Sequence, residues 1–366
     1  MTDTSRKGLF GSASRRSFLS GVGAAAVGLT FSGGKFGKAF AAEEKKLNFY
    51  NWDTYIGETT LDTFQAASGI DVNMSLFATN DELFAKLRAG NPGYDVIVPG
   101  SEFVERMITA DLLTPLDHSK IPNIKNVAKE FIDDAPYDPG RKFSLPYTWL
   151  VIGIGYRKSK VKEVPDSWKY VLDSDQYKGR IAVFSDASEL YRHGFKYLGH
   201  SANAGTPDLV KQVEAMLIKQ KPNIKAFHED NGQDLLLSGE VDVVMEYNGD
   251  IAQIMAEDDD IAFVVPKEGS LKQSDTLCIP KGAPHPENAH AFINHLLDAK
   301  VGAEIFHTIK FPSPNAAATA IMDDAYKNNP AIFPPADVLA KCEYPRYAGE
   351  EMTRLLDESL TRLRAD

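Results

Sequence analysis

Between Lys46 and Val98 the apolar residues switch repeatedly between a strand period and a helix period, and this alternation limits the fold more than any other feature of the chain. Lys46–Asn51 reads as a strand through Leu47, Phe49 and Tyr50. Residues 59–68 read as an amphipathic helix, with Leu61, Phe64 and Ala67 on one face and Gly69 as its stop. Residues 70–77 return to period two at Ile70, Val72, Met74 and Leu76. Residues 81–89 are helical again through Leu83, Phe84 and Leu87, and Gly90 ends them. Residues 95–98 form a short buried run closed by Pro99-Gly100. This βαβαβ order predicts an α/β fold with a mixed, mostly parallel sheet and helices on its faces.

A break near 143–149 separates this unit from a second alternating series. Its strands are read at 151–156, 180–184, 223–227, 241–246 and 261–265. Its helices are read at 166–173, 188–198, 208–219, 235–238 and 248–256. Residues 276–280 add one more strand, 286–309 one long helix, and 350–364 an amphipathic C-terminal helix. A chain of 366 residues accommodates two such units, each able to bury its own core.

The N-terminus reads as an address. Ser14-Arg15-Arg16-Ser17-Phe18-Leu19 is a twin-arginine pattern; the apolar stretch 21–29 follows, and Ala39-Phe40-Ala41 is a small-x-small cleavage site. Residues 1–41 are therefore expected to be a Tat-type signal peptide, cut after Ala41, that sends the folded chain to the periplasm. No lipobox cysteine follows the apolar stretch and no later segment is apolar for long, so a soluble product without membrane insertion is expected. The formal net charge is -11; residues 1–41 hold six basic side chains against Asp3 alone, so the remainder carries -16. Such a body repels nucleic acid and anionic lipid and suits cationic ligands, although a solubility charge explains it equally. Cys278 and Cys342 show no metal-ligand spacing and read as small buried thiols, with a disulfide open in an oxidising compartment.

In open α/β sheets, ligands sit beyond the carboxyl ends of the strands. That rule selects Trp52–Tyr55, Gly100–Glu102, Asp186–Glu189, Tyr247–Asp250 and Gln273–Asp275. Aromatic faces beside carboxylates trap ammonium groups through cation–π contact and charge-assisted hydrogen bonds. Plainer readings exist for the same residues. Trp52 also suits a core, Asp186 and Glu189 suit a helix cap, and Glu257-Asp258-Asp259-Asp260 suits a solvated turn. His295 on an apolar helix face reads as a satisfied core histidine. Enzyme signatures are missing: there is no GxSxG, HExxH, P-loop or dinucleotide fingerprint, and no histidine placed to activate Cys278. A ferric-ion site would want clustered tyrosines, and Tyr344 and Tyr347 lie three apart.

Several motifs, in one order across nearly the whole chain, resemble the bacterial spermidine/putrescine-binding periplasmic proteins. They are Phe49-Tyr50-Asn51-Trp52-Asp53-Thr54-Tyr55, Tyr94-Asp95-Val96-Ile97-Val98-Pro99, Ser144-Leu145-Pro146-Tyr147, Trp168, and Tyr177-Lys178-Gly179. They continue through Asp186-Ala187-Ser188-Glu189, Tyr247-Asn248-Gly249-Asp250, Pro266-Lys267-Glu268-Gly269 and Phe311-Pro312-Ser313-Pro314-Asn315-Ala316. The resemblance implies a two-lobed type 2 periplasmic-binding fold hinged around a ligand. Residues 42–147 and 276–310 would form the first lobe, and 148–275 and 311–366 the second. It further implies a receptor, not an enzyme, that hands a polyamine to the membrane permease of an ABC importer. No cofactor, metal or nucleic acid is expected, and the receptor is expected to be a monomer.

Carried over position by position, the resemblance implies that Trp52, Tyr55, Tyr247 and Phe311 are aromatic cleft residues. It implies amine-binding carboxylates at Asp186, Glu189, Asp250 and Asp275; Asp53 and Ser101, selected by the strand-end rule, complete the expected ligand contacts. The chain departs from the family pattern in places. Thr54 replaces an acidic residue, with Asp53 one position earlier. Gln273 replaces an aromatic that would sandwich the alkyl chain, Gly100 and Glu102 stand where serine and tyrosine are common, and Phe311 lacks a tyrosine hydroxyl. One wall is therefore polar, which leaves a shorter diamine, a guanidino compound or another amine-bearing solute open, and a fold-sharing enzyme as a third class.

Overall fold

The computed structural model describes residues 43–365. The expected signal peptide and the cleavage after Ala41 lie outside the described residues. Within them, the first sheet begins with β1 (Lys46–Asn51), β2 (Asp71–Leu76), β3 (Val96–Ile97), β4 (Leu113–Thr114) and β5 (Ser144–Pro146). The chain then builds a second sheet from β6 (Leu150–Arg157), β7 (Ile181–Phe184), β8 (Ile224–His228), β9 (Val243–Tyr247), β10 (Ile261–Val264) and β11 (Lys272–Gln273), and returns to the first with β12 (Thr276–Pro280). The orders are β2-β1-β3-β12-β4, with β5 on β12, and β10-β6-β9-β7-β8, with β11 on β6.

Both sheets are mixed. The β2-β1-β3 and β9-β7-β8 halves run parallel, as the βαβ reading requires. Antiparallel pairing enters with β12, beside β3, β4 and β5, and with β6, beside β9, β10 and β11. These two strands arrive directly from the other sheet instead of through a crossover helix, so nothing forces a parallel return. The result is two neighbouring antiparallel segments crossing between the sheets, at 146–150 and 273–276. The Asp275 carbonyl ties them by accepting the N–H groups of Tyr147 (2.8 Å) and Thr148 (3.2 Å).

Period two explains how β1 is buried on both faces. Leu47 and Phe49 pack with Phe64 and Phe292 on one side, and Tyr50 packs with Phe77, Leu83 and Leu87 on the other. In β9, Val243 and Met245 face the core that holds Trp168 and Tyr191, while Val244 faces Leu236 and Ile251. Each fully buried large side chain of this kind stabilises by about 1.5–3 kcal/mol.

Three details differ from the sequence expectation. The helix read as 286–309 is two, Pro286–Leu296 and Ala299–Ile309, because the Asp298 side chain accepts the N–H groups of Lys300 and Val301 and starts the second. The resemblance places residues 311–333 with the second lobe, yet Phe311, Met322, Tyr326 and Ile332 pack in the first-sheet core. The reason is local: Gly302 lets the helix Ala316–Ile321 lie against Ala299–Ile309, a Cβ there sitting 3.1 Å from that of Ala318. Further on, Val338, Leu339 and Cys342 pack on Val151 of β6, and the C-terminal helix Glu350–Ala365 joins the second-sheet core through Leu356, Leu360 and Leu363. Finally, His295 is satisfied as expected, with Nε2 3.3 Å from both the Thr60 carbonyl and the Thr63 hydroxyl and its ring against Phe64, but it is half-buried instead of lying in the core. Cys278 and Cys342 are both free thiols, and burial pushes the Cys278 thiol up, away from reactivity.

Candidate functional site

The carboxyl ends of β1, β7, β8 and β9, the start of the helix after β3, and the β11–β12 crossing converge on one cavity of about 680 Å³. Nine of the ten site residues expected from sequence line it: Trp52, Asp53, Tyr55, Asp186, Glu189, Tyr247, Asp250, Asp275 and Phe311. Ser101 does not. It is fully buried at the start of the helix Ser101–Thr109 with its hydroxyl unpartnered, and the next residues, Glu102 and Phe103, reach the cavity instead.

On the first-sheet side, the Trp52 indole donates to the Val98 carbonyl (2.9 Å), and its ring lies 4.3 Å from that of Phe77. Trp52 is therefore both packed and cavity-facing, so the two sequence readings of it are compatible. Asp53 is exposed and accepts the N–H of Thr54, whose φ of 50° turns the chain. Tyr55 is buried; its hydroxyl donates to Asp275 Oδ2 (2.7 Å) and lies 2.5 Å from that of Thr148. The rings of Tyr55 and Phe311 meet edge to face at 5.1 Å. Gly249 makes room for Phe311: a Cβ there would fall 2.2 Å from the ring.

On the second-sheet side, Asp186 caps the helix Ala187–Tyr197 by accepting the Glu189 N–H (2.8 Å), as its capping reading anticipates. Glu189 Oε1 accepts the Tyr247 hydroxyl (2.7 Å) and the Gln273 amide (2.9 Å), and its buried Oε2 has no partner. Gln273, the residue that departs from the aromatic pattern, is thus committed to holding Glu189. Tyr247 leans on Phe184, with ring centroids 4.9 Å apart. The acidic turn Glu257–Asp260 is anchored by Arg157, which donates to Asp258 and Asp260.

Sequence reasoning missed Thr148, Asp230 and the pair Glu102–Arg192. Asp230 follows the end of β8, so the strand-end rule applied to that strand would have found it. Glu102 accepts from Arg192 (2.8 Å) and from the Ser188 hydroxyl (3.1 Å), joining the helix after β3 to the helix after β7 across the cavity. That pairing spans 90 residues and leaves no local pattern.

Twelve carboxylates line the cavity against three arginines. Arg192 is held by Glu102, and Arg106 by Glu350 and Asp81, so most of the negative charge has no protein partner. Burial pushes Asp275 up to about 6 and Asp186 up to about 6. Asp230 is exposed as a residue, but desolvation of its carboxylate among the other cavity acids, reinforced by Asp275 and Asp53, pushes it up to about 7. Glu189 and Asp250 are driven well above the usual carboxylate range by burial, then by the charges of Asp186 and Asp230 respectively. A cation entering here restores what desolvation and repulsion remove, while aromatic walls cover its apolar parts.

The fold and this cleft are those of a two-sheet ligand receptor. The chain belongs to the bacterial extracellular solute-binding protein family, whose profile it matches over residues 59–334. It is 34% identical over 349 residues to the putrescine-binding periplasmic protein SpuD of Pseudomonas aeruginosa, covering 90% of this chain and 95% of that one. It is also 34% identical over 343 residues to the putrescine-binding periplasmic protein PotF of Escherichia coli, covering 89% and 93%. A solved structure, a putative spermidine/putrescine ABC transporter protein from Listeria monocytogenes, superposes with a TM-score of 0.83 at 29% identity, covering 88% of this chain and 99% of that one. Family members are solute-binding receptors. No helix among the described residues is long and apolar enough to cross a membrane.

Proposed function

We propose that this protein is an exported receptor that captures a polyamine of the putrescine or spermidine type and presents it to the permease of an ABC importer. The observation that carries the reading is the set of unneutralised carboxylates, buried Glu189 and Asp275 and half-buried Asp250, around an aromatic-walled cavity. Asp186, Glu189 and Asp250 serve the ligand from the second lobe. Trp52, Asp53, Tyr55 and Phe311 serve it from the first, and Asp275 sits on the crossing strand. Tyr247 stacks on the alkyl chain. The lobes hinge at 146–150 and 273–276, and Glu102–Arg192 holds them closed. The receptor acts as a monomer in the periplasm after cleavage behind Ala41 and performs no catalysis. The relatives named for putrescine and spermidine support the ligand class.

A second reading, a receptor for another amine-bearing solute such as a guanidino compound, draws on Gln273, which replaces a stacking wall with an amide bonded to Glu189. Thermal unfolding with putrescine, cadaverine, spermidine, agmatine, arginine and ferric citrate separates the readings. Stabilisation by a diamine or spermidine supports the first, and by agmatine or arginine alone the second. Stabilisation by no amine refutes both.

A further inference from the structure

At the cavity wall, three carboxylates from separate positions meet. Asp230 follows β8, Glu246 lies near the end of β9, and Asp250 lies in the first turn of the helix Asn248–Ile254. One oxygen of each lies within 4.8 Å of the others. Asp230 and Asp250 line the cavity, and Glu246 stands fully buried behind them. Glu246 Oε1 accepts the N–H of Tyr247 (2.9 Å), whereas Oε2 has no partner.

A neighbouring side chain that is not acidic also leaves Glu246 without a fixed donor. His228 is buried, and its Nε2 lies 3.0 Å from the Met245 carbonyl, an arrangement that places the ring proton on Nε2. Burial pushes the imidazole down to about 4, so it stays neutral. Its Nδ1 is then a bare acceptor without a donor, 3.7 Å from the equally bare Glu246 Oε2. Gly232 permits this approach: a Cβ there would fall 2.4 Å from Glu246 Oε2 and 2.5 Å from His228 Cε1. Burial, then the charges of Asp250 and Asp230, drive Glu246 well above the usual carboxylate range, so in the ligand-free protein it holds a proton that an entering cation displaces.

We propose that Asp230 and Glu246 join Asp250 in a three-carboxylate socket for a primary ammonium group at one end of the ligand. The proposal rests on the amine-receptor reading and adds two residues and a chemical preference to it. Geometry selects the ammonium. A nitrogen about 2.8 Å from three tetrahedrally placed oxygens sets those oxygens about 4.6 Å apart, within the spacing found here. An ammonium group brings three N–H donors to three acceptors. A calcium ion would want about six to eight oxygens, including carbonyls, which this trio does not supply. The socket favours a terminal primary amine over a methylated one, because each methyl removes a donor.

The test is isothermal titration of putrescine and of N,N,N′,N′-tetramethylputrescine into the wild type, Glu246→Gln and Asp230→Asn, at pH 8 in two buffers of different ionisation enthalpy. The proposal expects putrescine to weaken at least about 10-fold in both variants and fewer protons to be released on binding. It also expects the wild-type preference for putrescine over its tetramethyl form to shrink in both. Asp230 is exposed, so Asp230→Asn keeps the test valid if Glu246→Gln fails to fold. Wild type that binds putrescine while both variants bind it within twofold overturns the socket and leaves the amine receptor standing. Wild type that binds no amine overturns the parent reading. Calcium or magnesium binding that is lost in both variants, with putrescine affinity intact, assigns the trio to a metal and overturns the proposal.

Discussion

Replacing Asp275 by asparagine separates what the site does for the ligand from what it does to the fold. Asp275 is 7% exposed, and its Oδ2 accepts the Tyr55 hydroxyl at 2.7 Å and, more weakly, that of Thr148 at 3.4 Å. Burial raises its carboxyl from an ordinary 3.8 to about 6. The charged form is therefore disfavoured in the folded, ligand-free protein by about 3 kcal/mol at pH 7. The sign follows from linkage. Because the folded value is raised, the folded state holds the proton longer, and stability falls as pH rises from about 4 towards 6 and then levels off. A neutral amide at this position carries no such penalty and still offers a carbonyl oxygen to Tyr55. Asp275→Asn should thus stabilise the ligand-free protein by up to about 3 kcal/mol at pH 8, up to about 4 °C in Tm, and the gain should fade below pH 5. On the proposed function, the same change also removes a charged hydrogen bond to the amine, worth about 1.5–3 kcal/mol, or about 10- to 150-fold in Kd. Thermal unfolding at pH 5 and pH 8 without ligand, and titration calorimetry with putrescine at pH 8, measure both halves. A variant that is less stable at pH 8, or that binds putrescine as tightly as the wild type, would refute the reasoning.

Other expectations follow from neighbouring contacts. Asp186 near 6, Asp230 near 7 and the strongly raised Glu189 and Asp250 hold protons that an incoming cation must displace, so amine affinity should rise from pH 5 to pH 8 with net proton release; an affinity flat across that range argues against these residues as the binding groups. Glu102→Gln removes the charge from the pair with Arg192, which keeps its bonds to Ser188, Asn203 and the Arg346 carbonyl. The fold should survive while putrescine dissociates about 3- to 30-fold faster, read by stopped-flow, and an unchanged rate would dismiss the latch. Gly249→Ala drives a methyl into the Phe311 ring, and chemical denaturation should show a loss of about 1–3 kcal/mol.

Much of this protein is legible in its sequence, for reasons that are local. The parallel halves β2-β1-β3 and β9-β7-β8 follow from apolar periodicity, since a strand buried on both faces needs Leu47, Phe49 and Tyr50 together. The strand-end rule led to Trp52, Asp186, Tyr247 and Asp250, because parallel strands point their carboxyl ends the same way. Tertiary structure alone decided three things. It broke the helix at Asp298, whose capping role is hidden inside an otherwise continuous apolar stripe. It chose between the members of Gly100–Glu102, turning Ser101 inward beside Val104 and Met107 and leaving Glu102 at the cavity. It also set Glu246 behind Asp230 and Asp250, and Arg192 against Glu102. Burial and unmet hydrogen-bonding capacity are properties of the packed chain, so a carboxylate read in sequence shows its charge but not whether that charge has been answered.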